Sequence, residues 1–450
     1  MTNKELSKTI LTTVLPIALQ NVLVTIVNAS DAVMLGALNA ESLSAANLAG
    51  QLMQVYNFFL VSLCVGTTVL AAQYWGKKDI ESIKKVLHIT LQISITVGVV
   101  FFAVCLTIPS IVMSFFTADA TLIDLGSTYL RYVSGAYLFM SFSQVYMIIM
   151  KNTDRVKRSA LYGAIAVALN LIFNTLLIYG LFGLPAMGVA GAALATMLAR
   201  LVEFILTAFE SRKQSSAGFS IKLLFTHHSE LRKDYIKYTL PNVIQTMSWR
   251  IATTINIAIL GHMSNDIVAA NAVAIIVFDI MSAVAMAYAS GCGITIGHAL
   301  GNNELDEAKS YGDELLRWSR YIGLFLGGIT AAISPLVIWL SKSLSDESKS
   351  YLQIMLIILA VKMIGKLNNC TLSNGIFVAG GDVRFHMKVD IINMWCVIVP
   401  LSLLAAYVFK LPVILVYLII NIDEYTKIYF EMSRYHKYIW VKNLTKEDWA

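Results

Sequence analysis

The chain has 450 residues, 57% of them hydrophobic and only 14% charged, with a mean hydropathy of +0.68. Soluble domains are ~25% charged and one core stops growing near ~250 to 300 residues, so a water-soluble enzyme with a tail anchor is excluded and lipid must be the solvent. The net charge of +6 and pI near 8.9 come from bases in short clusters between apolar runs, a topology signal that argues against nucleic-acid binding.

Met1 to Ser7 lead into an apolar run too long for a signal-peptide core and without a cleavage box soon after, which predicts an uncleaved first span. Apolar windows bounded by charge or by Gly and Pro predict spans near 9–37, 44–75, 86–116, 124–150, 159–181, 187–210, 236–262, 267–300, 315–341, 350–380, 387–408 and 412–432. Each is long enough for a helix, and none alternates polar with apolar as a membrane barrel requires. The expected fold class is an all-α polytopic membrane protein with 12 transmembrane helices. Lys and Arg divide 26 against 3 between the two sides, only Lys342, Lys349 and Lys410 lying on the poorer one. Both termini are therefore expected in the cytoplasm, with the protein in the plasma (inner) membrane. Cys64, Cys105, Cys292, Cys370 and Cys396 lie singly in apolar stretches, and with no CxxC and no His at ligand spacing neither a disulfide framework nor a zinc site is indicated.

The chain repeats internally. A shift of 225 residues superposes Leu15 and Pro16 on Leu240 and Pro241, Gln20 on Gln245, Leu35 and Gly36 on Leu260 and Gly261, Gly66 on Gly291 and Gly76 on Gly301. Six spans separate the copies, so both enter the membrane in the same direction, as a parallel repeat about an axis along the membrane normal. This predicts two six-helix lobes, 1–225 and 226–450, joined by the basic segment from Ser211 to Lys237. Such a pair is what alternating access requires.

An ionisable side chain at midspan costs about 2.5 to 3.5 kcal/mol on insertion scales, so each one needs a partner, a cavity or a function. Asp31 shares a helical face with Asn28 and Gln20, a stripe able to hydrate a protonatable carboxylate or to coordinate a hard cation; a helix-end carboxylate in external water is the other reading. Asn170 and Asn174, at i and i+4, offer two amide oxygens on one face, or interhelical packing bonds. Thr196 lies on a small-residue helix. In the second half Asn256 stands where the repeat places Asp31, and Trp249, Arg250, Lys362 and Lys366 bring positive charge into spans. Asp279 and Glu424 are candidate partners for them, with Asp390 nearer the cytoplasmic end. A buried network holding the lobe together and substrate or proton handling are both open readings. For Arg200, a local ion pair with Glu203 is sufficient.

In order along the chain, Leu15-Pro16, Asp31-Ala-Val-Met-Leu-Gly36, Gln73-Tyr-Trp-Gly76, Leu169-Asn170 through Asn174, Gly188-Val-Ala-Gly191-Ala-Ala-Leu-Ala-Thr196, Ala379-Gly-Gly-Asp-Val-Arg-Phe385 and Val399-Pro400-Leu401 resemble the multidrug and toxic compound extrusion (MATE) family of cation-coupled antiporters. The resemblance covers essentially the whole chain. It implies two six-helix lobes forming an outward-open V, and extrusion of organic compounds driven by inward proton or sodium flow. The family's first-lobe cation motifs fall on Asp31, Asn170, Asn174 and Thr196. Asn174 is an amide where the family often has a carboxylate, which weakens a sodium site and leaves Asp31 as the acid there. The second-lobe acids of another branch are replaced here by Trp249 and Arg250 and by Lys362 and Lys366.

The expected function is thus a secondary active efflux antiporter, a monomer in the lipid bilayer handling a small organic substrate, with a proton or sodium as coupling ion, no other cofactor and no nucleic-acid partner. The alternative is a lipid-linked precursor flippase, or an exporter of anionic or zwitterionic metabolites, using a basic second lobe. A polytopic enzyme would need a catalytic constellation, and none is visible in the sequence.

Overall fold

The computed structural model describes residues 3–212, 218–219, 226, 229–342 and 344–445, apart from the side chains of 3–9, 26, 28–29, 31–33 and 265. Helices begin where polar residues cap them and end at turns that release the chain. Asn39 Oδ1 accepts from the Ser42 amide at 2.6 Å and Asp79 Oδ1 from the Ser82 amide at 3.0 Å, each satisfying a backbone donor with no partner inside its helix.

The first half contains α1 (Asn3–Gly36), α2 (Ala40–Gly76), α3 (Ile80–Thr107), a short α4 (Pro109–Ser114), α5 (Ala120–Asn152), α6 (Val156–Tyr179) and α7 (Gly188–Ser211). The second contains α8 (Ser229–Gly261), α9 (Asn265–Gly301), α10 (Leu305–Leu340), α11 (Asp346–Cys370), α12 (Val383–Ile392), α13 (Val399–Leu403), α14 (Val413–Asn421) and α15 (Asp423–His436). Wider π-helical turns at Thr371–Phe377, Asn393–Ile398 and Leu404–Val408 continue α11, α12 and α13. No strand occurs among the described residues.

The repeat is written into the backbone. α1 and α8 end at Gly36 and Gly261, α2 and α9 are both 37 residues long, and the turns after them place Lys78 and Asn303 at left-handed φ of 62° and 63°. Each of these pairs is 225 residues apart in the chain.

Nine described helices are long and apolar enough to cross a membrane. The other three expected spans fall on α1, α8 and the α14 and α15 pair. α8 is diluted by polar residues such as Asn242, Gln245 and Arg250, and the last pair is broken between Asn421 and Asp423. The predicted span 86–116 is interrupted at Ile108, because Pro109 starts α4 as a separate turn.

Two bodies are defined by packing. One comprises Leu19–Ile236, and the other residues 3–18 with Lys237–Thr445. In the first, Tyr56, Leu60, Cys105, Leu130, Val133 and Tyr137 form the core, and the Tyr56 hydroxyl donates to the Tyr137 carbonyl at 2.9 Å. In the second, Ile10 of α1 packs with Tyr288, Cys292, Ile376 and Trp440. All five cysteines are free.

Candidate functional site

Within the first body, α6 and α7 approach closely because Gly191 has no side chain: a Cβ there would lie 2.5 Å from the Leu177 carbonyl oxygen. α6 ends at Gly180, whose φ of 69° turns the chain back toward α7. This approach brings the predicted polar residues together. Asn174 Nδ2 donates to Asn170 Oδ1 at 3.3 Å, and Asn170 Nδ2 donates to Thr196 Oγ1 at 3.3 Å. Asn170 and Thr196 line a small cavity of about 60 Å³, with Val24 and Val27 of α1 and Ala166, Ala199 and Arg200 as further walls. Gly191→Val would wedge α6 from α7, and we expect a loss of about 1 to 3 kcal/mol, read as a lower unfolding midpoint in detergent.

Gln20 is buried beside Gly163 of α6, where a Cβ would strike its amide. The side chains of Asn28 and Asp31 lie outside the described residues, although the α1 backbone is helical through both. Arg200, a cavity wall, pairs with Glu203 one turn on at 2.9 Å. Glu203 is 1% exposed and also accepts from Gln144 Nε2 at 3.0 Å and Ser143 Oγ at 3.4 Å. Nearer the end of α7, buried Glu210 accepts from Arg158 at 2.6 Å and from the Tyr162 hydroxyl at 3.0 Å.

The second body holds a denser cluster. The break between α14 and α15 aims Asn421, Asp423 and Glu424 at α11, and asparagines satisfy the carbonyls there: Asn393 Nδ2 donates to Asp423 O at 3.0 Å and Asn369 Nδ2 to Glu424 O at 2.6 Å. Lys362 pairs with Asp423 at 2.8 Å and takes Asn421 Oδ1 as a further acceptor at 3.2 Å. One turn along, Lys366 pairs with Glu424 at 3.2 Å and lies 5.6 Å from the ring of Trp249. Lys427 bridges Glu424 and Asp390, both at 3.1 Å, and Gln245 Nε2 donates to Asp390 at 2.5 Å. Arg250 interacts electrostatically with Asp279, an exposed side chain on α9. Asn256 is buried, its Oδ1 without a hydrogen bond among the described residues.

Of the partners named from the sequence, Glu424 meets Lys366, Asp279 lies within electrostatic reach of both Arg250 and Lys366, and Asp390 is held by Lys427. Sequence reasoning missed Asp423, Lys427, Glu431 and His386. Lys427, near the charged C-terminal end, is buried between two carboxylates. The signal available was the spacing of Glu424, Lys427 and Glu431, which puts all three on one face of α15.

The fold is a tandemly repeated helical membrane bundle, with a small cavity walled in part by Asn170, Thr196 and Arg200 in one body and buried matched charges in the other. The MatE family model matches residues 16–176 and again 241–404, two copies whose starts carry the same offset as the repeat read from the sequence. The chain belongs to the MatE family, and so to the transporters of the MATE type. It is 25% identical to the uncharacterized transporter YisQ of Bacillus subtilis (strain 168), over 92% of this chain and 90% of that protein. With the probable multidrug resistance protein YoeA of the same organism it shares 21% identity, over 89% and 87%. An outward-facing multidrug resistance MATE family transporter of the MOP superfamily superposes with a TM-score of 0.87 at 20% identity, over 96% of both chains. A MOP superfamily transporter from Pyrococcus furiosus Vc1 (DSM3638), described as having a binding pocket of reverse polarity that suggests a different function, gives the same TM-score, identity and coverage. At this identity the structural likeness is one of fold.

Proposed function

We propose that this protein is a secondary active antiporter that exports small organic compounds from the cytoplasm, driven by inward proton or sodium flow through alternating access of its two halves. It acts as a monomer in the plasma membrane, with both termini cytoplasmic. The observation that carries the reading is the cavity walled by Asn170, Thr196 and α1, with Asn174 bonded behind Asn170. Asp31 follows the cavity residue Val27 by four positions on α1, about one helical turn.

Asp31, Asn170, Asn174 and Thr196 are the coupling residues of this proposal. Asn170 Oδ1 and Thr196 Oγ1 are already engaged by amide donors and a guanidinium stands on the same wall, a poor shell for sodium, which needs several oxygen ligands. A proton needs only the Asp31 carboxylate, so proton coupling is the favoured form. Binding the ion changes the packing of α1 against α6 and α7, and it drives export because its affinity differs between the two access states.

The flippase or anion-exporter reading would need positive charge to spare in the second body. There Lys362 and Lys366 are each matched by a carboxylate, and Arg250 faces Asp279, which favours uncharged or cationic organic substrates.

The test is uptake of a fluorescent organic cation into proteoliposomes under an imposed proton or sodium gradient. Parent protein should accumulate the dye with one gradient and Asp31→Asn should lose at least about tenfold of that rate, the scale of removing one essential group. Undiminished gradient-driven uptake by the variant would refute coupling through the first body.

A further inference from the structure

The three lysines inside the second body account for three carboxylates: Lys362 with Asp423, Lys366 with Glu424, and Lys427 with Asp390. A fourth carboxylate is left over. Glu431 of α15 is 0% exposed, and its hydrogen-bonded ion-pair partner is His386 of α12, whose Nδ1 lies 2.9 Å from Glu431 Oε1, with Lys427 one turn back within electrostatic reach. The second oxygen, Oε2, has no hydrogen bond among the described residues. His386 is itself 6% exposed, so neither group is open to bulk solvent.

An isolated charge in such a place is expensive, whereas a neutral pair is tolerated. His386 and Glu431 are neutral together only when they hold one proton between them, as imidazolium with carboxylate or as imidazole with carboxylic acid. Without that proton the pair is a buried net negative charge. We propose that His386 and Glu431 form a one-proton binding site in the second body, continuous with the lysine and carboxylate chain that runs from Lys362 to Asp390. The ligand is a single proton.

The surrounding charges leave this count intact. From α15, Asp423, Glu424 and Lys427 are matched within the chain, and Arg434 holds Asp382 at 2.7 and 3.0 Å. On α12 itself, Asp390 is matched by Lys427, while Arg384 and Lys388 are exposed. From α8 come Gln245 and Tyr238, neither of them charged at neutral pH. From α11 comes the Cys370 thiol, and Asp390 lies within electrostatic reach of His386. The turns at Thr371–Phe377 bring no ionisable side chain, and Asn393–Ile398 brings Cys396 alone.

This site does not depend on the antiport reading, because proton occupancy is a property of the folded chain and is measurable without transport. In reversible unfolding of the detergent-solubilised full chain across neutral to mildly alkaline buffers, the parent carries one proton that the unfolded chain has released. Relative to Glu431→Gln, whose neutral amide needs no proton, the parent's folded-to-unfolded ratio should fall about tenfold for each pH unit, the slope of one linked proton. His386→Lys, which keeps the pair neutral by a fixed charge, should lose the dependence in the same way and serves if Glu431→Gln does not fold. Parent and variants running parallel with pH would overturn the proposal.

Discussion

Glu424→Ala will be the most damaging single substitution in the second body, by about 3 to 5 kcal/mol, because it strands charge that the fold has buried. Glu424 is 1% exposed and serves three donors: Lys366 at 3.2 Å, Lys427 at 3.1 Å and Asn369 Nδ2 at 2.9 Å. Its loss removes the carboxylate that pairs with Lys366, which is left to the weaker reach of Asp423 and Asp279, while Lys427 keeps Asp390 as its ion pair. Lys366→Met is the informative contrast, since it leaves Glu424 still held by Lys427 and Asn369. We expect that variant to cost about 1 to 3 kcal/mol, the range for a buried group that loses one of several partners. Thermal unfolding in detergent micelles reads both, with a drop of order 10 °C for the alanine variant. A milder effect for Glu424→Ala than for Lys366→Met would mean that the cluster does not carry the stability of this body.

The contrast also bears on why such a cluster exists. A hydrophobic replacement of similar volume is often neutral or stabilising at such a site, so the matched charges at Lys362, Lys366 and Lys427 are by themselves weak evidence for stability. The neighbouring His386 and Glu431 pair, with its shared proton, is the member of this arrangement able to change total charge.

The parts of this architecture that depend on local pattern were open to sequence reading. The ends of α1, α2, α8 and α9 follow the glycines and caps on which the repeat rests, and Asn170 with Asn174 share a face by simple helical spacing. Thr196 meets Asn170 because Gly191, among small residues, lets α7 come close to α6, a pattern also visible in the sequence. Glu424 could be named from sequence as a partner for the lysines, but the rest of the pairing across helices could not. Lys427 and Glu431 stand in a stretch whose charge density resembles a cytoplasmic end, yet the structure buries them against α12. The π-helical turns at Thr371–Phe377 and Asn393–Ile398 leave no signature in hydropathy either.

Glu203→Leu will be the largest perturbation of the first body. Glu203 ties three helix positions to one buried carboxylate, namely Arg200 on its own helix and Ser143 and Gln144 on α5. Removing it leaves the Arg200 guanidinium beside the cavity shared by Asn170 and Thr196, with a cost of about 3 to 5 kcal/mol as for any broken buried pair. The double variant Arg200→Met with Glu203→Leu should recover most of that stability, because it removes both charges together, and the departure from additivity measures the pair itself. Transport then separates structure from function. If Arg200 biases the cavity against sodium, the stable double variant should accept a sodium gradient in proteoliposomes where the parent responds only to protons. A double variant that stays folded and keeps the parent's ion preference would show that Arg200 and Glu203 only hold α5 to α7, and that selectivity resides with Asp31 and the Asn170, Asn174 and Thr196 cluster.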